Sequence, residues 1–366
     1  MHMHFRKVCP EVLKVYTDQD NLTEKAFFWR EAGMSLTIVD PKSLDYQEHS
    51  AENRIWIASA KPGLWYPLLE KCSADSVIFF YLGNELYEVV DLQLLIKHPS
   101  IYMLFVYAPP IKPSLINLFS VLFASIFDSG RMLRFDLVPY LRNFRTGVQV
   151  KQRLSNLEFK NGRILVEIPQ GYSLSFAIQF KKMFPDLGND DSLITYALNN
   201  ISCSSGSDDF FSLCFIGQSG NLRRTRVLQL AQEKFQSGFY SKVKDYFGGN
   251  EESPNLEYIH ALNKSHASLI PSGVFNNYNH RYCEALIMGK LPIVALNNLT
   301  DPNTNYYWVK KYPLILRDSY RWLFRRLKKM KLKRIQQIVV DARLEEFKRI
   351  RVFSDQVNAA RIGSMK

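Results

Sequence analysis

Two short stretches, each following an apolar run, carry the side chains with the most chemical promise. In the later one, Leu269-Ile-Pro271 opens onto Ser272-Gly273, with Asn279, Arg281 and Glu284 a few residues on. Arg281 and Glu284 are three apart, so in a helix they face the same way in its first turn. A guanidinium there can hold a phosphate, and a carboxylate can accept both hydroxyls of a ribose. The same pair also fits a plain helix start, where the dipole favours a glutamate and an arginine sits beside it.

The earlier stretch is Phe215-Ile-Gly217-Gln-Ser-Gly220-Asn-Leu-Arg223-Arg224-Thr-Arg226. Gly217 and Gly220 let the backbone turn and approach a ligand, and a following helix offers free N–H groups to an anion. Arg223 and Arg226, on one helical face, could clamp a diphosphate. A tight turn before a surface helix with solvated arginines fits the spacing equally well.

Other signals are weaker. Asp18-Gln-Asp20 has the carboxylate pair that could hold Mg²⁺ or Mn²⁺ beside a diphosphate. No strand–helix unit is evident before it, so helix capping is the expected role. Gly217-Gln-Ser219-Gly220 approaches a nucleophile elbow, but Asn221 stands where a glycine belongs. A hydrolase using Ser219 is thus a minor reading. No P-loop, complete Gly-x-Gly-x-x-Gly or His-Glu-x-x-His is present.

The elements that must position these residues can be read from the apolar runs. Segments 54–58, 76–82, 101–107 and 163–168 read as strands, and 64–72, 85–97 and 113–127 as helices. Further on, 211–216, 267–270, 291–296 and 313–316 read as strands, with helices over 223–235, 255–265 and 280–288. Strand–helix alternation with continuously apolar strands implies parallel sheets covered on both faces. A Ser-, Gly-, Asn- and Asp-rich region over 186–210, with a short helix within it at 192–200, marks the expected domain junction.

The 366 residues are enough for two or three domains. With 46% hydrophobic, 22% charged and 13% aromatic residues, the chain has the composition of an ordinary globular protein, not of a disordered or collagenous one. Five scattered cysteines, none paired as Cys-x-x-Cys, point to neither a disulfide framework nor a zinc site and fit a reducing compartment. No apolar run at the N-terminus resembles a signal peptide, and Leu115–Phe127 is too short for the ~20 residues of a membrane span. A cytoplasmic protein is expected.

Glu284-Ala-Leu-x-x-Gly289-x-Leu-Pro292-Ile-Val resembles the donor-site signature of GT-B glycosyltransferases. More narrowly, Tyr258-x-x-x-Leu262-x-x-Ser265-x-Ala-x-Leu-x-Pro271-x-Gly273, then Arg281-x-x-Glu284-Ala and Gly289-x-x-Pro292, is similar to the exostosin-like family. Phe215-Ile-Gly217 with Arg223 and Arg226 also looks like that family's first donor-domain strand and helix. The resemblance covers roughly 211–296, and departs from the family in an Asn-rich Phe-Asn-Asn-Tyr-Asn279 insert.

The resemblance implies a GT-B-like α/β fold, with two Rossmann-like βαβ domains facing a cleft. The expected division is an acceptor-side domain over 1–195, a nucleotide-sugar donor domain over 205–320 and a helical extension over 321–366. The implied activity moves a sugar from a nucleotide-sugar to a saccharide or glycan in polysaccharide biosynthesis, with inversion. The diphosphate is then stabilised by positive side chains without a metal or further cofactor. Donor-binding residues carried over are Gly217, Arg223, Arg226, Ser272, Gly273, Asn279, Arg281 and Glu284. Inversion also needs a base from the N-terminal half; Glu85, following strand 76–82, is the candidate, ahead of Glu48 and His49. The rival reading is a saccharide- or nucleotide-binding protein without turnover.

The net charge is +12, from 47 Lys+Arg against 35 Asp+Glu, and eight of those cations fall between Arg321 and Arg334 without one acid. With Trp322, Leu323, Phe324, Leu327, Met330 and Leu332 interleaved, the segment reads as one basic amphipathic helix. A second partner is thus expected, an anionic membrane surface met peripherally and suited to a lipid-linked acceptor. A terminal helix with its apolar side on the fold and solvated cations fits the pattern too, and nucleic acid fits least.

Overall fold

The computed structural model describes residues 13–18, 27–44, 54–82, 94–106, 164–169, 171–188, 192–203, 211–218, 222–244, 254–271, 280–294 and 319–364. Contacts divide the chain into two units. Unit 1 gathers 1–112, 145–174 and 348–366, and unit 2 gathers 113–144 and 175–347. The stretch from 321 onward is therefore shared between units.

Among the described residues, unit 1 is built on six parallel strands: β1 (Leu13–Thr17), β2 (Met34–Ile38), β3 (Ile55–Ser59), β4 (Val77–Tyr81), β5 (Ile101–Val106) and β6 (Ile164–Glu167). Their spatial order is β2-β1-β3-β4-β5-β6. Every residue of β3 and β4 is buried, which is why both read as unbroken apolar runs. On one face Phe80 stacks on Phe105 with ring centroids 4.4 Å apart, and Trp29 and Phe353 close over them. On the other, Ile57, Phe79 and Tyr81 meet Trp65, Leu68 and Leu69. Segment 64–72 folds as a 3₁₀ turn at Pro62–Leu64 followed by the single helical turn α1 (Tyr66–Leu69), shorter than expected. β1 and β2 were not anticipated. Their short, mixed patterns leave seven of the ten residues partly or fully exposed, so neither shows as an apolar run.

The described part of unit 2 begins with α2 (Leu174–Met183, whose first residue belongs to unit 1) and α3 (Leu193–Asn200), the latter capped by Ser192 accepting from Thr195 N–H. Four parallel strands follow: β7 (Leu213–Gln218), β8 (Phe239–Lys244), β9 (Ala267–Leu269) and β10 (Leu291–Ile293), ordered β10-β9-β7-β8. They alternate with α4 (Leu222–Phe235), α5 (Pro254–Asn263) and α6 (His280–Ile287). β8 was not anticipated because it is a polar strand, Phe-Tyr-Ser-Lys-Val-Lys, at the edge among the described strands.

The basic segment is two helices, not one. α7 (Tyr320–Lys329) ends at an extended Met330, and α8 (Leu332–Ser364) begins two residues later. α7 buries Tyr320, Leu323, Phe324 and Leu327. In an unbroken helix Lys331 and Arg334, four and seven residues beyond Leu327, would fall on that same buried arc. With the extended residue between the helices both are exposed, while Ile335, Ile338, Val339 and Ala342 are packed in the unit 2 core.

The end of α6 explains much of the Glu284–Val294 motif in backbone terms. Gly289 has φ +69°, its N–H bonds Leu286 C=O, and Lys290 N–H bonds Ala285 C=O. This is a Schellman stop. A Cβ on Gly289 would lie 2.7 Å from the Ser202 carbonyl oxygen, so no side chain fits. Pro292 falls in β10, an edge strand among those described, where a missing N–H costs no ladder bond. No described helix is long and apolar enough to cross a membrane; segments 85–93, 113–127 and 313–316 lie outside the described residues.

Candidate functional site

The strand order of unit 2 sets the place to look. From β7 the chain passes through α4 to β8 on one side, then through α5 to β9 on the other. The direction of winding thus reverses between β7 and β9. Ligands of open α/β sheets bind beyond the strand carboxyl ends at such a reversal. Gly217 and Gln218 end β7 there, and Ile270 and Pro271 follow β9.

Arg281, in the first turn of α6, reaches this edge. Its Nη1 donates to the carbonyl of Ile216, 65 residues earlier, and its guanidinium lies over the ring of Tyr258, 4.7 Å from the centroid. Gly217 makes room for it. A Cβ on Gly217 would meet Phe215 Cζ at 3.2 Å and Arg281 Nη1 at 3.4 Å, closer than side chains ordinarily pack. Here glycine serves close approach of a cation to the strand end rather than a special backbone angle.

Glu284 is in the same helix and 2% exposed, so it lies inside the fold and not on a rim. Tyr258 is buried beside it. Burial pushes the Tyr258 phenol well up, the Glu284 carboxylate pushes the same way, and Arg281 opposes. Arg281, Tyr258 and Glu284 thus form one charged group around a buried ring. The sequence motif contained Tyr258, but nothing in its spacing assigned it this place.

The other candidates fall differently. Arg226 extends along its own helix, with Nη1 at 3.2 Å from Gln229 Oε1 and 3.5 Å from Glu233 Oε1. Arg223 sits in the first turn of α4. Its side chain, with Glu48, His49, Glu85, Ser219, Ser272, Gly273 and Asn279, lies outside the described residues.

Asp18 directly follows a strand, β1, which ends at Thr17. The order β2-β1-β3 puts the winding reversal of unit 1 between β1 and β3, so Asp18 stands at that sheet's own switch point. Its Oδ1 accepts a 2.9 Å bond from the indole N–H of the fully buried Trp65. Next to it, at the end of β3, the buried Ser59 Oγ accepts from Lys61 N–H at 2.9 Å.

The opposite, amino edge of the unit 2 sheet holds a second set of ionisable groups. Lys290 is buried before β10 and donates to Asn263 C=O at 3.2 Å; burial lowers its pKa to about 8. Cys214 accepts from Ser265 Oγ, and burial raises its thiol to about 11. Cys203 is raised by burial against the pull of Arg343 and Lys290, and His266 is lowered by burial and then by Lys290. Arg343, from α8, donates to the carbonyls of Leu286 and Ile287 at the end of α6 and of Ile201 after α3, all within 2.9 Å. One guanidinium therefore caps two helix C-termini. Among the described residues no group of three or more His, Cys, Asp or Glu could hold a metal ion.

Compared with family models and with curated proteins, the chain matches none.

Proposed function

We propose that the chain is a glycosyltransferase of the GT-B type, with unit 2 holding a nucleotide-sugar donor and unit 1 a saccharide or glycan acceptor. The observation that carries this reading is Arg281, a cation fixed by Ile216 and Tyr258 at the carboxyl edge beside the β7/β9 reversal. A positive charge already in place needs no reorganisation when a diphosphate leaves, and that is where such a charge lowers a transfer barrier. The α4 N-terminus after Gly217, with Arg223 in its first turn, adds a second element suited to phosphate. On the acceptor side, a carboxylate at the unit 1 switch point suits hydroxyl recognition or deprotonation, and Asp18 joins Glu85 as a candidate for that role.

Thermal unfolding in the presence of nucleoside diphosphates and nucleotide sugars tests the donor site. A ligand at about 100 times its dissociation constant adds roughly 2.7 kcal/mol. The expected result is a shift with one nucleotide, weakened in Arg281→Ala; no shift with any of them removes the donor site. A second reading is binding of a nucleotide or saccharide without turnover. Release of nucleoside diphosphate from a bound nucleotide-sugar in the presence of acceptor glycans separates the two.

A further inference from the structure

The cations of 321–334 have no part in the site above. Arg325, Arg326, Lys328, Lys329, Lys331, Lys333 and Arg334 are all exposed, and no acid occurs between Ser319 and Val340. Their helices are not spare. The apolar side of α7 and the start of α8 lie in the unit 2 core, with Phe235 and Phe324 edge to face at 5.5 Å. What an isolated amphipathic helix would insert into a bilayer is already used to hold the fold. The positive charge alone is left outside.

We infer that this patch docks unit 2 on an anionic lipid surface through headgroup contacts, without insertion. The inference stands independently of the sugar-transfer reading. Seven cations in ten residues match the density at which juxtamembrane basic clusters bind acidic headgroups, each multiplying the partition about fivefold. The rings of the segment argue against single-stranded nucleic acid, which needs exposed aromatic platforms. Tyr320 and Phe324 are buried, and Trp322 packs partly against the core with Arg326 over its ring at 5.3 Å. Lys328 also donates to Lys234 C=O at the end of α4, 3.4 Å away, which ties the patch to the body of the unit.

The test is co-sedimentation with vesicles of phosphatidylcholine alone or with phosphatidylserine added. The wild type is compared with the fourfold variant R325Q/K329Q/K331Q/K333Q and with a control carrying K42Q/K61Q/K71Q/K264Q, four exposed lysines elsewhere. Wild type and control are expected to bind only the anionic vesicles and to be released by about 0.5 M salt, where screening is short. Loss of four cations should weaken binding several-hundred-fold, at an unchanged melting temperature and with no blue shift of tryptophan emission on vesicles. Any of four results overturns the proposal. These are no sedimentation of the wild type, equal binding by the fourfold variant, an emission shift that signals insertion, or preference for an RNA or DNA duplex at equal phosphate concentration.

Discussion

The two sheets wind in the same way and end in opposite charges. In unit 1 the order β2-β1-β3-β4 puts a reversal between β1 and β3, and in unit 2 the order β8-β7-β9-β10 puts one between β7 and β9. At the first stands a carboxylate, Asp18, held by an indole N–H. At the second stands a guanidinium, Arg281, held by a strand carbonyl and a tyrosine ring. Topology supplies the position, and the side chain decides what it suits. A cation there favours phosphate, and a carboxylate favours hydroxyls. Within unit 2 the amino edge offers the contrast. Arg343 is a buried cation, and its donors go to helix-end carbonyls, so its work is structural.

The largest effect should come from Arg343→Met. Three carbonyls lose a charged donor at once, although Leu286 C=O keeps the Gly289 N–H, and a loss of roughly 3–5 kcal/mol is expected. Denaturant unfolding measures it. Nucleotide affinity at matched stability should not move, and if it does, the distinction between the two edges fails.

Next is Asp18→Asn. If the unit 1 switch point serves the acceptor, turnover should fall about 10²–10⁴-fold while donor affinity stays unchanged. A change in donor affinity alone would put Asp18 on the wrong side of the comparison. Arg281→Ala should do the reverse, weakening nucleoside-diphosphate binding about 10–100-fold, the range of one charged hydrogen bond. Arg281→Lys should recover little, because a lysine cannot keep the planar stack on Tyr258. Calorimetric titration checks both substitutions.

The smallest effect is a pH dependence from the amino edge. Folding lowers the Lys290 pKa from 10.5 to about 8. Between those values the unfolded chain binds more protons, so this group makes stability rise with pH across that window. Cys214 works the other way. Its folded pKa lies above its unfolded one, so its contribution is present below pH 9 and lost as pH rises towards 11. The difference between wild type and Lys290→Met, melted from pH 7 to 10, isolates the lysine. A flat difference would mean that Lys290 is not desolvated as described.

Much of the fold was legible where burial is continuous. β3, β4 and β5 are apolar runs because neighbours cover both faces. α6 and its stop could be read from Glu284 to Pro292, and the structure gives Gly289 and Pro292 backbone reasons. β1, β2 and β8 were not legible, because short strands with mixed side chains look like loops until a partner strand pairs them. The break at Met330 was hidden too, since the apolar spacing runs on at a helical period across it.

The candidate site divides in the same way. Arg281 and Glu284 could be singled out by their spacing, but not where they go. The sequence by itself determined that strands and helices alternate, that a glycine-rich turn precedes a basic helix, and that the positive charge gathers in one segment. Those are local properties, set by composition and periodicity over a few residues. Only the tertiary structure decided the strand order and hence the two switch points. It also decided the Asp18–Trp65 and Arg281–Ile216 pairings across 47 and 65 residues, and the use of the basic helices' apolar side as core. Such contacts depend on packing between segments far apart in the chain, where no short-range pattern can specify the partner.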